Sequence, residues 1–323
     1  MEHLDILEFY SGIGGMYYSV AASGLPFTVK QSFDINTNAN QVYNQNIASK
    51  TRKHKVNAVC SKSIDALTLE DIDSFKANTW LMSPPCQPFT RVGLQKDLED
   101  NRTNSFVNLL EKLGKLQTPP TYILIENVFG FERSNARDLM VETFNTLTYR
   151  FQEFHLSPQA FGLPNQRLRY FCIVCTYITI DTVARTTPSI LKEIPSLPII
   201  QPNAISNYFD ADCDTDAHYQ KHKVPEKLLL STKGMLFGMY PTKSGNDVNS
   251  NCFTRAYHKF AYVSIILIYH HQGLHYFPED FSFPESYSLQ QSYRLIGNSL
   301  NVKIVSELLK YLLGEFSSNS MAV

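Results

Sequence analysis

Leu4-Asp5-Ile6-Leu7-Glu8-Phe9-Tyr10-Ser11-Gly12-Ile13-Gly14-Gly15 decides how the rest of this chain is read. Leu4–Phe9 is a short apolar run suited to a buried strand. It runs into a turn rich in glycine, and Gly14–Ala22 follows with the spacing of a helix. Glycines let the backbone turn tightly and let a ligand approach it closely. A dinucleotide fingerprint would need another glycine three residues after Gly14, where this chain has Tyr17. The loop is therefore a poor nicotinamide site. It suits a ligand without a pyrophosphate, such as an adenosyl amino acid.

Outward from this unit the alternation repeats. Thr28–Phe33, Thr79–Met82 and Tyr122–Ile125 read as strands, and Asn36–Asn46 and Asn104–Leu116 as helices. Strand and helix in turn predict an α/β fold, a mostly parallel sheet with helices on both faces. Ligands in such sheets sit at the carboxyl ends of the strands. The second strand ends at Asp34, placed either to accept hydrogen bonds from ribose hydroxyls or to cap the next helix. Asp65, after a possible third strand, is similarly placed to receive an adenine amino group.

From about Asp181 proline, serine, asparagine and aspartate rise and periodicity fades; Ser288–Ser317 returns to helical patterning. Residues 181–286 are thus expected to form a separate loop-rich lobe. The tail Ser317–Val323 is expected to be disordered.

Composition narrows the function classes. Hydrophobic residues make up 43% of the 323 and charged residues 18%, ordinary for a globular protein. The most apolar run, Ala261–Tyr269, falls far short of a membrane span, so no membrane association is expected. The N-terminal MEHLDILEF lacks the basic leader and apolar core of a secretory signal, and the cysteines are sparse, which together predict an intracellular setting. Cys172 and Cys175 form a C-x-x-C inside an apolar stretch, without a second pair at zinc spacing, so no metal is expected. Net charge is −1, so any grip on nucleic acid must come from local patches. The clearest patch, Lys50-Thr51-Arg52-Lys53-His54-Lys55, reads either as a solvated loop or as a phosphate contact.

Three further segments carry chemistry. Ser83-Pro84-Pro85-Cys86-Gln87-Pro88-Phe89 follows the strand Thr79–Met82, and its prolines make a stiff loop with few backbone donors. That loop is an odd place for a small buried hydrophobe, the usual fate of a lone cysteine. It would fix the Cys86 sulfur at the carboxyl edge of the sheet, and thiolates are strong nucleophiles. Glu126-Asn127-Val128 comes directly after the strand Tyr122–Ile125, so Glu126 either lies beside the cysteine loop or caps a helix. In Asn165-Gln166-Arg167-Leu168-Arg169 two arginines alternate into a strand and are expected on one face. They either pair with acidic neighbours there or serve the site.

Taken together, SGIGG, SPPCQPF, ENV, NQRLR and Gly297-Asn298-Ser299-Leu300, in this order and spacing, resemble the cytosine-5 methyltransferases across residues 5–176 and 288–312. Cys252-Phe253-Thr254 followed by Tyr257, and the segment Tyr293–Val302, resemble the DNA-methyltransferase-2 subfamily. Between Thr254 and Tyr293 the chain departs from that subfamily: its Gly-Thr-Gly-Ser element is missing.

The resemblance implies a Rossmann-like S-adenosylmethionine-dependent methyltransferase fold, with residues 1–180 and 287–323 as the catalytic domain and 181–286 as a smaller target-recognition domain. It implies S-adenosyl-L-methionine as cofactor, held by Phe9, Tyr10, Ser11, Gly12, Ile13, Gly14, Gly15, Asp34, Ile35, Asp65, Pro84, Asn298, Ser299 and Leu300. The helix after Asn298 would return to close the cofactor pocket. Cys86 would attack carbon 6 of cytosine, Glu126 would hydrogen-bond the ring, and Arg167 and Arg169 would hold the base carbonyl and the cysteine loop. The implied substrate is tRNA, at cytosine 38 in the anticodon loop of tRNA-Asp, with DNA as the alternative. A monomer working in the nucleus or cytoplasm is expected. Competing readings are a catalytically silent nucleic-acid-binding protein and, distantly, a nicotinamide oxidoreductase.

Overall fold

The computed structural model describes residues 2–49, 56–85, 101–176, 189–208, 245–252 and 271–316. Cys86, the basic run from Lys50 to Lys55, Phe253, Thr254, Tyr257 and the tail from Ser317 lie outside the described residues. Contacts divide the chain into two units, one of residues 1–156, 168–197 and 304–323, the other of residues 157–167 and 198–303.

The first unit is built on six strands: β1 (Leu4–Phe9), β2 (Phe27–Phe33), β3 (Thr79–Met82), β4 (Tyr122–Val128), β5 (Tyr149–Leu156) and β6 (Arg169–Thr176). Their order across the sheet is β2-β1-β3-β4-β6-β5. β2, β1, β3 and β4 are mutually parallel, while β6 runs antiparallel to both β4 and β5. This matches the expected mostly parallel α/β sheet. The helices between the parallel strands are α1 (Gly15–Ser23), α2 (Thr37–Tyr43), α3 (Leu69–Ser74) and α4 (Asn101–Leu113), and α5 (Asn135–Thr146) precedes β5.

Successive residues of the strands are buried on both sides, as parallel sheets require. On one face Leu7, Phe9, Trp80, Met82, Ile123 and Ile125 pack with Phe106, Leu109, Leu110 and Leu113 of α4, which recur at helical spacing. On the other face Ile6, Leu81 and Leu124 are fully buried, and Glu8 receives bonds from α1 and α2. Helices therefore cover both faces.

Boundaries moved where tertiary pairing or a stop signal intervened. α4 runs over Asn101–Leu113 instead of Asn104–Leu116, with a turn at Gly114 in which the Lys115 N–H donates to the Lys112 carbonyl at 2.8 Å. Asn36 is the cap of α2, its side chain accepting from the backbone N–H of Asn38 and Ala39, and a wider turn, Asn44–Ala48, continues the helix. The third strand anticipated before Asp65 is only an isolated bridge between Phe33 and Cys60. Cys172 and Cys175 sit in β6 on opposite faces, since side chains alternate along a strand, so they cannot chelate one ion. Burial pushes the Cys172 thiol far up, the state of an inert packing residue.

In the second unit, Asn165 donates to Ser250 Oγ at 3.1 Å and to the Asn251 carbonyl at 3.2 Å, tying two distant segments together. Its helix α6 (Leu289–Asn298) opens with a capping box formed by Ser288 and Gln291. α7 (Val302–Tyr311) follows within a few residues, and its residues from Ile304 onward belong to the first unit. Among the described residues no helix is long and apolar enough to cross a membrane.

Candidate active site

The glycine turn after β1 is built by backbone conformations that glycine favours. Gly12 and Gly14 have φ of +53° and +92°, and Tyr10 also lies in the left-handed region at 58°. A Cβ on Gly14 would stand 2.4 Å from Ile47 Cδ1, so a side chain there would have to displace the end of Ile47 besides adopting a strained left-handed backbone. Around Gly12 the same construction meets no atom within 4 Å, which leaves its surface open to a ligand. The turn is stitched to β2: Ser11 N–H donates to the Phe33 carbonyl at 3.1 Å, and Gly12 N–H donates to Asp34 Oδ2 at 2.8 Å. Asp34 Oδ1 accepts from the Asn36 N–H at 2.7 Å. Burial nevertheless holds the Asp34 carboxyl above its ordinary range. Ile35, next to it, is 71% exposed, a large apolar side chain beside a carboxylate.

The carboxyl end of β3 lies alongside that of β1, since the Ser83 N–H donates to the Phe9 carbonyl at 3.3 Å. Pro84 is buried, and its carbonyl accepts from Asn127 Nδ2 at 3.5 Å. The start of the proline loop is thereby held to β4. Ser11 Oγ and Ser83 Oγ are both buried with no hydrogen-bond partner among the described residues. Buried hydroxyls are normally paired, so two unsatisfied ones at neighbouring strand ends fit a polar ligand. With the open surface of Gly12 and the Asp34 carboxylate, this donor and acceptor set suits an adenosyl amino acid.

Glu126 lies inside the strand and not just after it. β4 does not stop at Ile125 but continues to Val128, because β6 pairs Glu126 with Phe171 and Asn127 with Tyr170. The carboxylate is thus carried on a strand, not on a loop or a helix cap, and it is nearly buried. Arg169, first residue of β6, points to the same face, with Nε 3.8 Å from Glu126 Oε1.

Arg167 belongs to the second unit. It precedes β6 and is buried within the second unit. There it donates to the carbonyls of Gly297, at 3.1 Å, and Ser299, and its Nη1 lies 3.7 Å from Cys252 Sγ. β6 begins at Arg169, so Arg167 lies outside the strand whose alternation was expected to include it. Arg167 holds the turn that contains Asn298, Ser299 and Leu300; Asn298 is exposed at the end of α6, and Leu300 is buried.

Asp65 is exposed in a short helical turn, where Oδ1 accepts from Asn108 Nδ2 at 2.7 Å. Tyr10 donates to Ser105 Oγ at 2.9 Å, so α4 is bonded to the edge of the glycine turn. Sequence reasoning passed over Glu8, Ser83 and Asn127. Ser83 carried a usable signal, being the first polar residue after a strand end. Glu8 and Asn127 carried none, because only packing reveals their partners.

A model of the C-5 cytosine-specific DNA methylase family matches residues 4–259. The chain belongs to that family. The motif resemblance read from the sequence is thereby borne out, as is its fold. The chain is 45% identical to a Dictyostelium discoideum protein named DNA (cytosine-5)-methyltransferase, over 97% of this chain and 95% of the relative. It is 33% identical to the tRNA (cytosine(38)-C(5))-methyltransferase of Mus musculus, over 99% and 96% of the two chains. Among solved structures, a Spodoptera frugiperda DNMT2 mutant superposes with a TM-score of 0.77 at 32% identity, covering 96% of this chain and 99% of that one. Membership places the chain among enzymes of one kind of chemistry, methyl transfer to cytosine C5.

Proposed function

We propose that this chain transfers a methyl group from S-adenosylmethionine to carbon 5 of cytosine 38 in the anticodon loop of tRNA-Asp. The observation that carries the cofactor and catalytic reading is the gathering of unsatisfied and charged groups at the carboxyl ends of four adjacent strands. These are Ser11 Oγ, Ser83 Oγ, Asp34 and Glu126. S-adenosylmethionine, when bound, supplies an electrophilic methyl group. The residues Phe9 to Gly15, Asp34, Ile35, Asp65 and Pro84 would bind it in the first unit; Asn298, Ser299 and Leu300 are assigned to it from the family motif.

Cytosine C5 is too weak a nucleophile to accept a methyl group directly. Addition of the Cys86 thiolate to C6 converts the ring to an enamine and makes C5 reactive. Glu126 hydrogen-bonds N3 and the exocyclic amine, offsetting charge that develops in the ring. Arg169, paired with Glu126, orients that carboxylate and faces the base carbonyl. Loss of the C5 proton and expulsion of Cys86 restore aromaticity. Residues 181–286 are assigned to target recognition, the rest to catalysis, and the enzyme is assigned to the nucleus or cytoplasm, acting as a monomer.

A base must leave its stack to react, at a cost of a few kcal/mol that is least in a loop. This physical point, together with the mouse relative, supports tRNA. DNA is the second reading, favoured by the name of the Dictyostelium relative. The two are separated by incubating the protein with labelled cofactor and either total tRNA or duplex DNA, then mapping 5-methylcytosine. Label at one anticodon-loop cytosine of tRNA is expected; label confined to DNA overturns the tRNA reading.

A further inference from the structure

Tyr276 is an exposed aromatic residue held in a backbone conformation that disfavours it. Its φ is 64°, in the left-handed region, and 43% of its surface is exposed. Bulky residues rarely adopt this conformation, and such outliers gather where a side chain is put to use. The turn is not loose. Tyr276 N–H donates to the Gly273 carbonyl at 2.9 Å. On either side of it, Asn301 Nδ2 donates to the Leu274 carbonyl at 2.9 Å and Val302 N–H to the His275 carbonyl at 3.0 Å. His275 Nδ1 lies 3.1 Å from the Leu300 carbonyl oxygen, and His275 is fully buried. The turn is therefore clamped to the segment that directly follows Asn298 and Ser299. That same segment brings Lys303 Nζ to 5.7 Å from the centre of the Tyr276 ring.

An exposed ring held rigid by buried neighbours, with an ammonium group over one face and the other face left for a base, has the chemistry of a nucleotide contact. Single-stranded nucleic acid is bound by stacking bases on aromatic faces while cations neutralise the adjoining phosphates. We propose that Tyr276 and Lys303 form such a platform: the ring stacks on an unpaired base of the RNA substrate, and Lys303 meets its phosphate. The chain as a whole carries a net charge of −1, so local contacts of this kind must supply the attraction. The proposal rests on the tRNA reading above and adds to it a site that reads loop geometry without naming a base.

The test is to measure tRNA binding, cofactor binding and melting temperature for wild type, Tyr276→Gly, Tyr276→Phe and Lys303→Gln. Glycine relieves the left-handed strain, so Tyr276→Gly is expected to melt at a higher temperature and bind cofactor as wild type does. Its Kd for tRNA should rise about tenfold, within the range one stacked base supplies. Tyr276→Phe should bind as wild type. Lys303→Gln should weaken tRNA binding and reduce the slope of log K against log salt by about 0.7, the release of one phosphate contact on a single strand. If Tyr276→Gly binds tRNA as tightly as wild type, the platform is refuted while the substrate reading stands. If Tyr276→Gly melts lower and loses cofactor as well, the ring is a packing residue and the platform is again refuted. Failure of the wild type to bind tRNA at all overturns the substrate reading and the platform with it.

Discussion

Cys86 is the residue on which the proposed chemistry turns, and its neighbours argue for it. The chain enters its loop through Ser83 and the buried Pro84, which are bonded to β1 and β4. Glu126, the acid assigned to the ring, sits on that same β4 and is oriented by Arg169. Replacing Cys86 by alanine should therefore lower turnover by at least about a thousandfold, the scale of losing an essential nucleophile. Cofactor affinity, measured by calorimetry, should stay nearly unchanged, because the glycine turn and Asp34 are untouched. RNA with 5-fluorocytosine at the target should remain attached to wild-type protein through denaturing electrophoresis, and not to Cys86→Ala. A collapse of cofactor binding in the variant would make Cys86 structural. Of the two arginines, only Arg169 reaches Glu126. The guanidinium of Arg167 is committed to the Gly297 and Ser299 carbonyls. Its removal would leave buried carbonyls unpaired and loosen the turn around Asn298.

Among the elements, the β1–turn–α1 unit is the most constrained. Gly14 caps α1 at φ 92°, and a methyl group there would collide with Ile47 of the turn that continues α2. Gly14→Ala should cost about 2 kcal/mol or more in denaturant unfolding, from left-handed strain and overpacking together. Gly12→Ala faces strain but no collision, so it should cost less in stability while still weakening cofactor binding. Equal stability of wild type and Gly14→Ala would show that α2 yields easily. β4 teaches a different lesson. Its apolar run Tyr122–Ile125 was legible, but its true end at Val128 depends on β6, which is far along the chain and antiparallel to it.

For the molecule as a whole, the stability profile should bear the mark of Glu8. Burial pushes its carboxyl from the ordinary 4.5 to about 7, against the lowering effect of the Tyr43 and Ser32 hydroxyls and the Tyr17 N–H. Between those values the folded chain binds a proton that the unfolded chain has released. Glu8 therefore stabilises the fold most at the acid end of that window, and its contribution is lost as pH rises toward about 7. Asp34, raised for the same cause, acts in the same direction. Measured against Glu8→Gln, wild type should lose unfolding free energy steadily across the window and level off above it. A constant difference between the two proteins would mean Glu8 is ionised throughout.

The alternation of strands and helices, the glycine turn, the proline-flanked cysteine and the family motifs were all written in short stretches of chain. They depend on turn geometry, side-chain periodicity and residue chemistry, which neighbours in sequence settle among themselves. The antiparallel partner that prolongs β4, the pairing of Glu126 with Arg169, the separation of Arg167 from Arg169, the burial of Glu8 and the strained, clamped Tyr276 were decided by tertiary structure. Each depends on groups tens to hundreds of residues apart meeting in a water-poor interior, where an unmet hydrogen bond or an unscreened charge is costly enough to choose between arrangements that the local sequence leaves equal.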